Sequence, residues 1–190
     1  MAYFTNTTTI ILAKGEFMEN ITKQEILDKL LKSYSHQYDI ERDVTVEGEH
    51  FPALATFYLR DENYIVSKKH VISAVENYDY TYFYITDHLD VETLQHQIEL
   101  TKRLGIARVK PHKEHMSSFI SLVILADTID EEAKQLIKKT RFQKYFRLAL
   151  HGWMEYHIAA VECSTNSFLS NPAGKGVKKI LEQNISSKNN

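Results

Sequence analysis

The sequence predicts an α+β fold in which a mainly antiparallel sheet is covered by about three amphipathic helices. In three segments, apolar residues recur at three- and four-residue spacing, which is the period of a helix face. From residue 44 to 86, and again beyond residue 117, β-branched and aromatic residues are frequent, which is typical of strands. Of the 190 residues, 43% are hydrophobic and 25% charged. This is a globular composition, and we predict one domain over residues 18–183.

The first helix is predicted over residues 23–38. Thr22 and Glu25 have the spacing of a capping box, in which each side chain accepts a hydrogen bond from the backbone N–H of the other residue. Apolar residues then recur on one face of the helix, and charged residues occupy the other. The apolar face consists of Ile26, Leu27, Leu30, Leu31, Tyr34 and Tyr38.

The region after this helix is predicted to be a meander of antiparallel strands. Turn-forming residues at 47–49 and 61–63 separate the strand-like runs, and strands joined by such short links run antiparallel. Residues 70–76 fit a short strand and a helical turn equally well. The predicted strands are 44–46, 53–60, 64–67 and 80–86.

A second helix and a buried strand are predicted next. Asp90 can cap a helix over residues 91–104, and Gly105 is a natural stop for it. Residues 117–126 form a nearly continuous apolar run, which suits a strand covered on both faces. We therefore expect this run to be the central strand of the sheet.

The rest of the domain is predicted to contain a third helix and two more strands. Residues 128–131 have the spacing of a second capping box, which would open a helix over residues 130–139. Two strands are predicted to follow, joined by a turn at His151 and Gly152. The remaining predicted elements are strands at 144–150 and 153–163 and a short helix at 176–183.

Both ends of the chain are predicted to lie outside the domain. Residues 1–17 lead into no periodic pattern, and residues 14–17 can be encoded by a purine-rich run of the kind found in bacterial ribosome-binding sites. We therefore expect translation to start at Met18, with residues 1–17 a non-native or disordered extension. Mass spectrometry of the native protein tests this, because Met1 or Ala2 as the first residue would reject it. Residues 184–190 are predicted to be a disordered tail.

Composition excludes several classes of protein. Cys163 is the only cysteine, so the chain has no intrachain disulfide and no multi-cysteine zinc site. No apolar run approaches the roughly 20 residues that cross a bilayer, and no basic and apolar leader of the secretory type is present. We expect a soluble, cytoplasmic protein with no membrane partner.

The most reactive segment is residues 111–115. His112, Glu114 and His115 supply two imidazoles and a carboxylate, which serve as acids, bases and metal ligands. We name all three as candidate catalytic residues, and His112 and His115 as candidate metal ligands. The alternative is a polar hinge, because the spacing matches no established zinc motif. A third metal ligand would come from His151, His157 or Asp127. No cofactor is predicted.

The C-terminal half of the chain is basic. Residues 1–90 contain eight Lys and Arg against fifteen Asp and Glu, a net charge of −7, whereas residues 91–190 contain fifteen against ten, a net charge of +5. Such asymmetry favours an acidic partner, either a protein or a nucleic acid, on the basic half. The alternative is a solvated helix end followed by a strand whose aromatic residues enter the core. The candidate binding residues are Lys138, Lys139, Arg141, Lys144 and Arg147.

Three segments resemble a bacterial domain family of unknown function. They are residues 109–118, Lys144-Tyr145-Phe146 and Gly152-Trp153, and the family carries a Lys-Pro-His-x-Glu-His-Met-Ser-Ser segment. The resemblance covers residues 22 to about 179 and implies a stand-alone domain, found mainly in Gram-positive and anaerobic bacteria, that begins near Met18. It implies no activity, ligand or catalytic residue.

Two functional hypotheses follow, and the sequence leaves open whether the protein is an enzyme. The first is a non-enzymatic binding or interaction module that uses the basic C-terminal half, because no motif supplies a nucleophile, a base and an oxyanion donor together. The second is a metal-dependent hydrolase or nuclease centred on His112, Glu114 and His115. The second hypothesis requires these side chains to converge with an Asp or His from another element.

Overall fold

The computed structural model describes residues 22–64 and 71–186, which form a seven-stranded sheet and four helices. The predicted extension at residues 1–17, the end of the predicted strand 64–67 and residues 187–190 of the predicted tail lie outside the described residues. The elements are α1 (Lys23–Tyr34), β1 (Asp39–Val46), β2 (Glu49–Tyr64), β3 (Val71–Leu89), α2 (Val91–Arg108), β4 (His115–Ile129), α3 (Glu131–Lys139), β5 (Gln143–Tyr145), β6 (Trp153–Glu162), β7 (Ser167–Ser170) and α4 (Lys175–Ser186).

The sheet is mixed, so the predicted α+β class is confirmed but the predicted, mainly antiparallel sheet is wrong. Its strand order is β1-β2-β3-β4-β6-β5, and β7 also pairs with β6. The first three strands form the predicted antiparallel meander. In contrast, β4 runs parallel to both β3 and β6. Long connections that contain α2 and α3 join these parallel strands. The turn residues from which the meander was predicted give no information about such connections.

The described part of the chain has four helices, rather than about three, and they cover both faces of the sheet. On one face, α2 and α3 pack through residues such as Leu94 and Ile137. On the other face, α1 and α4 pack through residues such as Leu27 and Leu181. The crossovers β3-α2-β4 and β4-α3-β6 move in the same direction across the sheet. Because such crossovers are almost always right-handed, both helices lie on the same face.

Helix α1 begins with the predicted capping box. The backbone N–H of Glu25 donates to Thr22 Oγ1 at 3.2 Å, and the backbone N–H of Thr22 donates to Glu25 Oε2 at 2.8 Å. The helix ends at Tyr34, four residues earlier than predicted, and the chain then turns so that Tyr38 still packs beneath it. Lys23 Nζ lies 2.5 Å from both Asp87 and Asp127. These ion pairs tie the start of α1 to the carboxyl ends of β3 and β4.

Strand β4 is the predicted central strand. Its residues 120–126 are all at most 1% exposed, because helices cover the sheet above and below them. Even-numbered side chains such as Leu122 enter the core beneath α2 and α3, and odd-numbered ones such as Val123 enter the core beneath α1 and α4. The continuous apolar run in the sequence therefore reports burial on two faces.

Three predicted turn or cap signals have other roles. Residues 61–63 lie within β2, which runs on to Tyr64. Gly105 lies inside α2, where a Cβ would be 2.6 Å from the side chain of Ile120, so this glycine allows the helix to approach the sheet. Thr128 belongs to β4 and its hydroxyl contacts His88, and the cap position Asp130 makes no side-chain bond to the helix. The second capping box is therefore absent.

The predicted strand at 144–150 is mostly a turn. Only Gln143–Tyr145 pairs with β6, and Arg147, Leu148 and Ala149 have positive φ values of 47°, 53° and 70°. Strand β7 was not predicted. The described part of the ambiguous segment 70–76 is a strand that begins at Val71, and α4 extends to Ser186. No helix among the described residues is long and apolar enough to span a bilayer.

Candidate functional site

The start of β4 meets the hairpin of β5 and β6 at the corner of the sheet where β4 and β6 begin. Trp153 of β6 pairs with Tyr145 of β5 on one side and with Ser117 of β4 on the other. Residues 111–118, 144–146 and 152–153 are therefore neighbours. These are the segments that carry the family resemblance, so the resemblance rests on one place in the fold.

His115 is buried at this corner, with 3% of its surface exposed. Its Nδ1 lies 2.7 Å from the carbonyl oxygen of His151, and its Nε2 lies 2.9 Å from Ser118 Oγ. Because a carbonyl oxygen only accepts, Nδ1 carries a proton, and in the neutral ring Nε2 accepts from the Ser118 hydroxyl. The ring of Phe146 packs edge-on against it at 5.8 Å. His115 therefore joins β4 to the turn between β5 and β6.

Gly152 permits this close contact. Its φ is +73°, a conformation that favours glycine, and a Cβ would lie 2.4 Å from the carbonyl oxygen of Met116 and 2.7 Å from His115 Nδ1. The glycine that the sequence indicated as a turn residue is thus also the residue against which His115 packs.

His112 contacts a different group, the carboxylate of Glu76 in β3. Its Nε2 lies 3.0 Å from Glu76 Oε2, and the Tyr78 hydroxyl donates to the same oxygen at 2.7 Å. Glu76 is only 7% exposed. The hydrogen bond from Tyr78, followed by that from Arg60, holds the pKa of Glu76 below its usual range despite burial.

Arg60 links this carboxylate to Glu114. Its Nη1 lies 2.5 Å from Glu76 and 2.6 Å from Glu114, and its Nε lies 2.7 Å from Glu62. Glu114 therefore belongs to an arginine-centred ion cluster between β2, β3 and the start of β4. Sequence analysis missed Arg60 and Glu76, because no local pattern shows that distant strands will bring them beside residues 112–114.

The candidate catalytic residues lie close together, but their side chains contact different groups. The ring centroids of His112 and His115 are 6.3 Å apart, but the first ring contacts a carboxylate and the second a hydroxyl and a carbonyl. In residues 22–64 and 71–186, no group of three or more His, Cys, Asp or Glu side chains is placed to hold a metal ion. Of the candidate third ligands, His157 pairs with Glu155, and Asp127 pairs with Lys23. A catalytic or metal-binding role for His112, Glu114 and His115 stays a prediction.

The predicted basic residues all lie on the surface. Lys138 and Lys139 end α3, and Arg141 donates to the carbonyl oxygens of Lys138 and Thr140. The remaining two lie on the hairpin of β5 and β6, where Lys144 Nζ is 5.5 Å from the ring centroid of Phe146. Lys138, Lys139, Arg141, Lys144 and Arg147 are each exposed.

The turn between β5 and β6 presents apolar side chains to solvent. Leu148 is 95% exposed, Leu150 76% and Tyr145 56%. We call residues 144–150, with these three side chains and the basic side chains of Lys144 and Arg147, the hairpin tip. Sequence analysis placed this segment in a strand, which would have buried alternate residues. Apart from Gly152 at its end, the segment carries no local signal for an exposed turn.

The hairpin tip has a fixed conformation. The backbone N–H of Leu150 donates to Arg147 at 3.0 Å, and that of Gly152 donates to Ala149 at 3.2 Å. At its base, the backbone N–H of Phe146 donates to Gly152 at 3.0 Å. Left-handed non-glycine residues cost of order 1 kcal/mol each, so these bonds hold the leucines outward against a conformational cost.

These features define a class of protein rather than an activity: an α+β domain with helices on both faces of a mixed sheet and a basic, apolar hairpin tip at one corner. The chain belongs to the family described as "Domain of unknown function (DUF8052)", which matches residues 22–183. Membership of a family of unknown function is thus confirmed. Its bacterial distribution and defining segment stay predictions. Searches of curated proteins and of solved structures each found no match.

Proposed function

We propose that this domain is a non-enzymatic binding module that docks an acidic protein partner through its hairpin tip. The observation that carries the proposal is the outward placement of Leu148 and Leu150, 95% and 76% exposed, on a hydrogen-bonded turn that also carries Lys144 and Arg147. Exposed leucines are common singly, but two of them on one hydrogen-bonded turn give a partner apolar surface to cover.

The apolar part of the hairpin tip provides the energy for docking. Burying one leucine side chain contributes about 1.5–3 kcal/mol. The turn is already ordered by its own hydrogen bonds, so little further ordering opposes association. The leucines would therefore act as anchors, with Tyr145 supplying a large amphipathic contact beside them.

The charges around the hairpin tip favour an acidic partner. Within the described part of the chain, none of the five basic candidate residues is paired with a carboxylate, so their charges are available to a partner. Unpaired charges at the rim of an interface speed association, and added salt reduces this effect by screening them. Those residues are Lys138, Lys139, Arg141, Lys144 and Arg147.

A protein partner is favoured over a nucleic acid. Aromatic side chains beside the basic residues could stack on bases, but Phe142 and Phe146 are half-buried against the core, which leaves Tyr145 exposed. Leucine side chains do not stack on bases as aromatic rings do. The lone, half-buried Cys163 fits a reducing compartment, so the proposal places the module in the cytoplasm.

A displayed random-peptide library tests the proposal. Selection is carried out on the wild-type chain, with counter-selection on the Leu148→Ser/Leu150→Ser variant, and enriched peptides are then measured against both proteins in solution. The expected peptides combine Asp or Glu with apolar residues and lose at least about tenfold in affinity for the variant. Peptides that bind both proteins equally, or tip-dependent binding of single-stranded oligonucleotide alone, would overturn the proposal.

The hydrolase or nuclease centred on His112, Glu114 and His115 is the alternative proposal. The contact between His112 and the buried Glu76 carboxylate supports it, because such a pair can hold an imidazole for proton transfer. Metal content is measured on protein purified without chelators, together with hydrolysis of oligonucleotide and ester substrates, for wild type and His112→Ala. Activity that is lost in the variant supports the alternative, and equal, background activity in both rejects it.

A further inference from the structure

A second surface, on the α1 and α4 face of the sheet, carries polar residues where a core would be expected. On this face, Phe83, Val123 and Ala159 form one row across β3, β4 and β6 and belong to the core. Two rows nearer the amino ends of β4 and β6, the positions are Asp79, Phe119 and Glu155. We call the row of Asp79, Phe119 and Glu155, together with His157 and Trp153 of β6, the open floor.

Within residues 22–64 and 71–186, the helices α1 and α4 leave the open floor partly uncovered. Helix α1 ends at Tyr34, and α4 starts at Lys175, just after Gly174 packs against the backbone of Ile158. Phe119 and Trp153 are half-buried, and the Glu155 side chain is 33% exposed. These residues are central in the sheet, yet solvent reaches them.

Asp79 is a largely buried carboxylate without a cation. It accepts hydrogen bonds from Tyr38 at 3.0 Å and from Thr81 at 3.2 Å, and within the described residues it forms no ion pair. Burial raises its pKa to about 6. At neutral pH the carboxylate is therefore mostly ionised, and its side-chain hydrogen-bond donors among the described residues are two hydroxyl groups.

Glu155 is a second carboxylate in the same row. Its Oε2 lies 3.2 Å from His157 Nε2, and burial lowers the pKa of that imidazole, so the ring is neutral at pH 7 and leaves the Glu155 charge uncompensated. Phe119 lies between the two acids and stacks on His157, with ring centroids 5.1 Å apart. Because neighbouring strands are about 4.8 Å apart, the acids flank one aromatic ring.

A buried hydroxyl on the same face also lacks a partner. Ser121 is fully buried and its Oγ makes no hydrogen bond within the described residues. It pairs in register with Thr81 and His157 and lies two residues along β4 from Phe119. Most buried polar groups in proteins are hydrogen-bonded, so a hydroxyl left unused in the row next to Asp79 and Glu155 is an exception that a bound ligand would remove.

We propose that the open floor binds a small organic cation through an amine or guanidinium group. The carboxylates of Asp79 and Glu155 would supply charge-assisted hydrogen bonds, and the Phe119 ring between them a face for cation–π contact. A metal ion fits less well, because its ligands must converge at one point and the aromatic ring separates the acids. This site is independent of the hairpin tip and does not rest on the proposed function.

Trp153 is the only tryptophan, so its fluorescence reports directly on the open floor. The full chain is titrated with agmatine, which carries a guanidinium and an amine, and with butanol as an uncharged probe. Ligand-detected NMR provides a second readout. The expected result is saturable agmatine binding with a Kd of about 1 mM or tighter and no saturable effect of butanol.

Substitutions locate the binding. Asp79→Asn and Glu155→Gln are each expected to weaken agmatine binding by about tenfold or more. Glu92→Gln, on the exposed first turn of α2 on the opposite face, and the hairpin-tip double variant are expected to bind as wild type. If Asp79→Asn fails to fold, Glu155→Gln decides. No saturable binding, or equal binding by the Glu155→Gln variant, would overturn the proposal.

Discussion

At the scale of single residues, the corner of the sheet depends on the contact between His115 and Gly152. The imidazole takes both of its hydrogen bonds from within the protein, at 2.7 and 2.9 Å, and so joins β4 to the turn that carries the hairpin tip. Gly152 leaves room for that ring because it has no Cβ. A histidine that looked catalytic in the sequence thus has a clear structural role.

Gly152→Ala is expected to destabilise the protein by more than about 2 kcal/mol. The Cβ would meet the carbonyl oxygens of Met116 and His115 at 2.4 and 2.6 Å, and φ is +73°. Urea unfolding measures the change. Gly176→Ala is the control, because its Cβ would meet nothing within 4 Å and alanine favours a helix, by up to about 1 kcal/mol. Equal effects of the two substitutions would contradict this account.

Asp79 is expected to make the protein less stable as pH rises from about 4 to about 6. Its pKa is about 6 in the folded protein against 3.8 for an exposed group, so within that window the folded state holds a proton that the unfolded state has released. The loss is at most about 3 kcal/mol. The groups that face Asp79 are the hydroxyls of Tyr34, Tyr38 and Thr81, which stay neutral in this window.

The comparison of wild type with Asp79→Asn isolates this effect. Urea unfolding is measured for both proteins across the window. Carboxyls whose pKa is lowered, such as Glu76, produce a slope of opposite sign, but they do so equally in both proteins. The stability of wild type relative to the variant is expected to fall as pH rises. A constant difference would show that Asp79 is as well solvated as an exposed carboxyl.

At the scale of elements, the sequence predicts what local chemistry decides. Thr22 and Glu25 cap α1 as expected, and the apolar run of β4 is buried on both faces. The parallel pairing of β4 with β3 and β6 was not predictable, because strands buried on two faces show no alternation from which a partner can be inferred. Arg60 and Glu76 face each other in the antiparallel pair of β2 and β3, and the parallel pairing of β4 with β3 brings Glu114 beside them. The register of both pairs decides this contact, so the ion cluster was missed too.

Gly105 shows how tertiary contact overrides a local signal. Glycine commonly ends helices, but α2 continues three residues past Gly105, which is buried against Ile120. We expect Gly105→Ala to destabilise the protein by about 1–3 kcal/mol, although alanine is the better helix former. In an Ile120→Ala background, the same substitution is expected to be neutral or stabilising, as measured by urea unfolding. A stabilising effect in the wild-type background would contradict the close packing of α2 on β4.

The hairpin between β5 and β6 was mispredicted for a physical reason. Residues 144–150 include aromatic and aliphatic side chains and no glycine or proline, a composition that favours a strand. Three successive residues nevertheless adopt left-handed backbone conformations, which turns the chain back after Tyr145. The turn is stabilised by bonds to Gly152 and by the packing of His115, and neither is visible in the local pattern.

At the scale of the whole molecule, two cores share one sheet. Leu27 of α1 and Leu94 of α2 are both 0% exposed, on opposite faces. Since β4 contributes to both cores, loss of either should unfold the other. We expect Leu27→Ala and Leu94→Ala each to cost about 2–5 kcal/mol. In each variant, Trp153 fluorescence and far-ultraviolet circular dichroism should report one coincident transition. Two separate transitions in either variant would show that the cores fold independently.

The distribution of charge across the sheet separates two sides of the molecule. Strands β1 to β3 derive from the half of the chain with net charge −7, and β4 to β7 from the half with net charge +5. The hairpin tip lies on the basic side, with its leucines outward. A partner with acidic residues around an apolar patch would therefore meet complementary charge before the leucines are buried.

The most direct test of the account is the affinity of a selected acidic peptide for a charge-reversed hairpin tip. The Kd is measured in solution for wild type, for Lys144→Glu/Arg147→Glu and, as the matched control, for Lys29→Glu/Lys32→Glu on α1, where Lys32 is exposed and Lys29 half-buried. We predict that reversal at the hairpin tip weakens binding by at least about a hundredfold, and that the control binds nearly as wild type. Equal affinity of all three proteins would contradict docking through the hairpin tip.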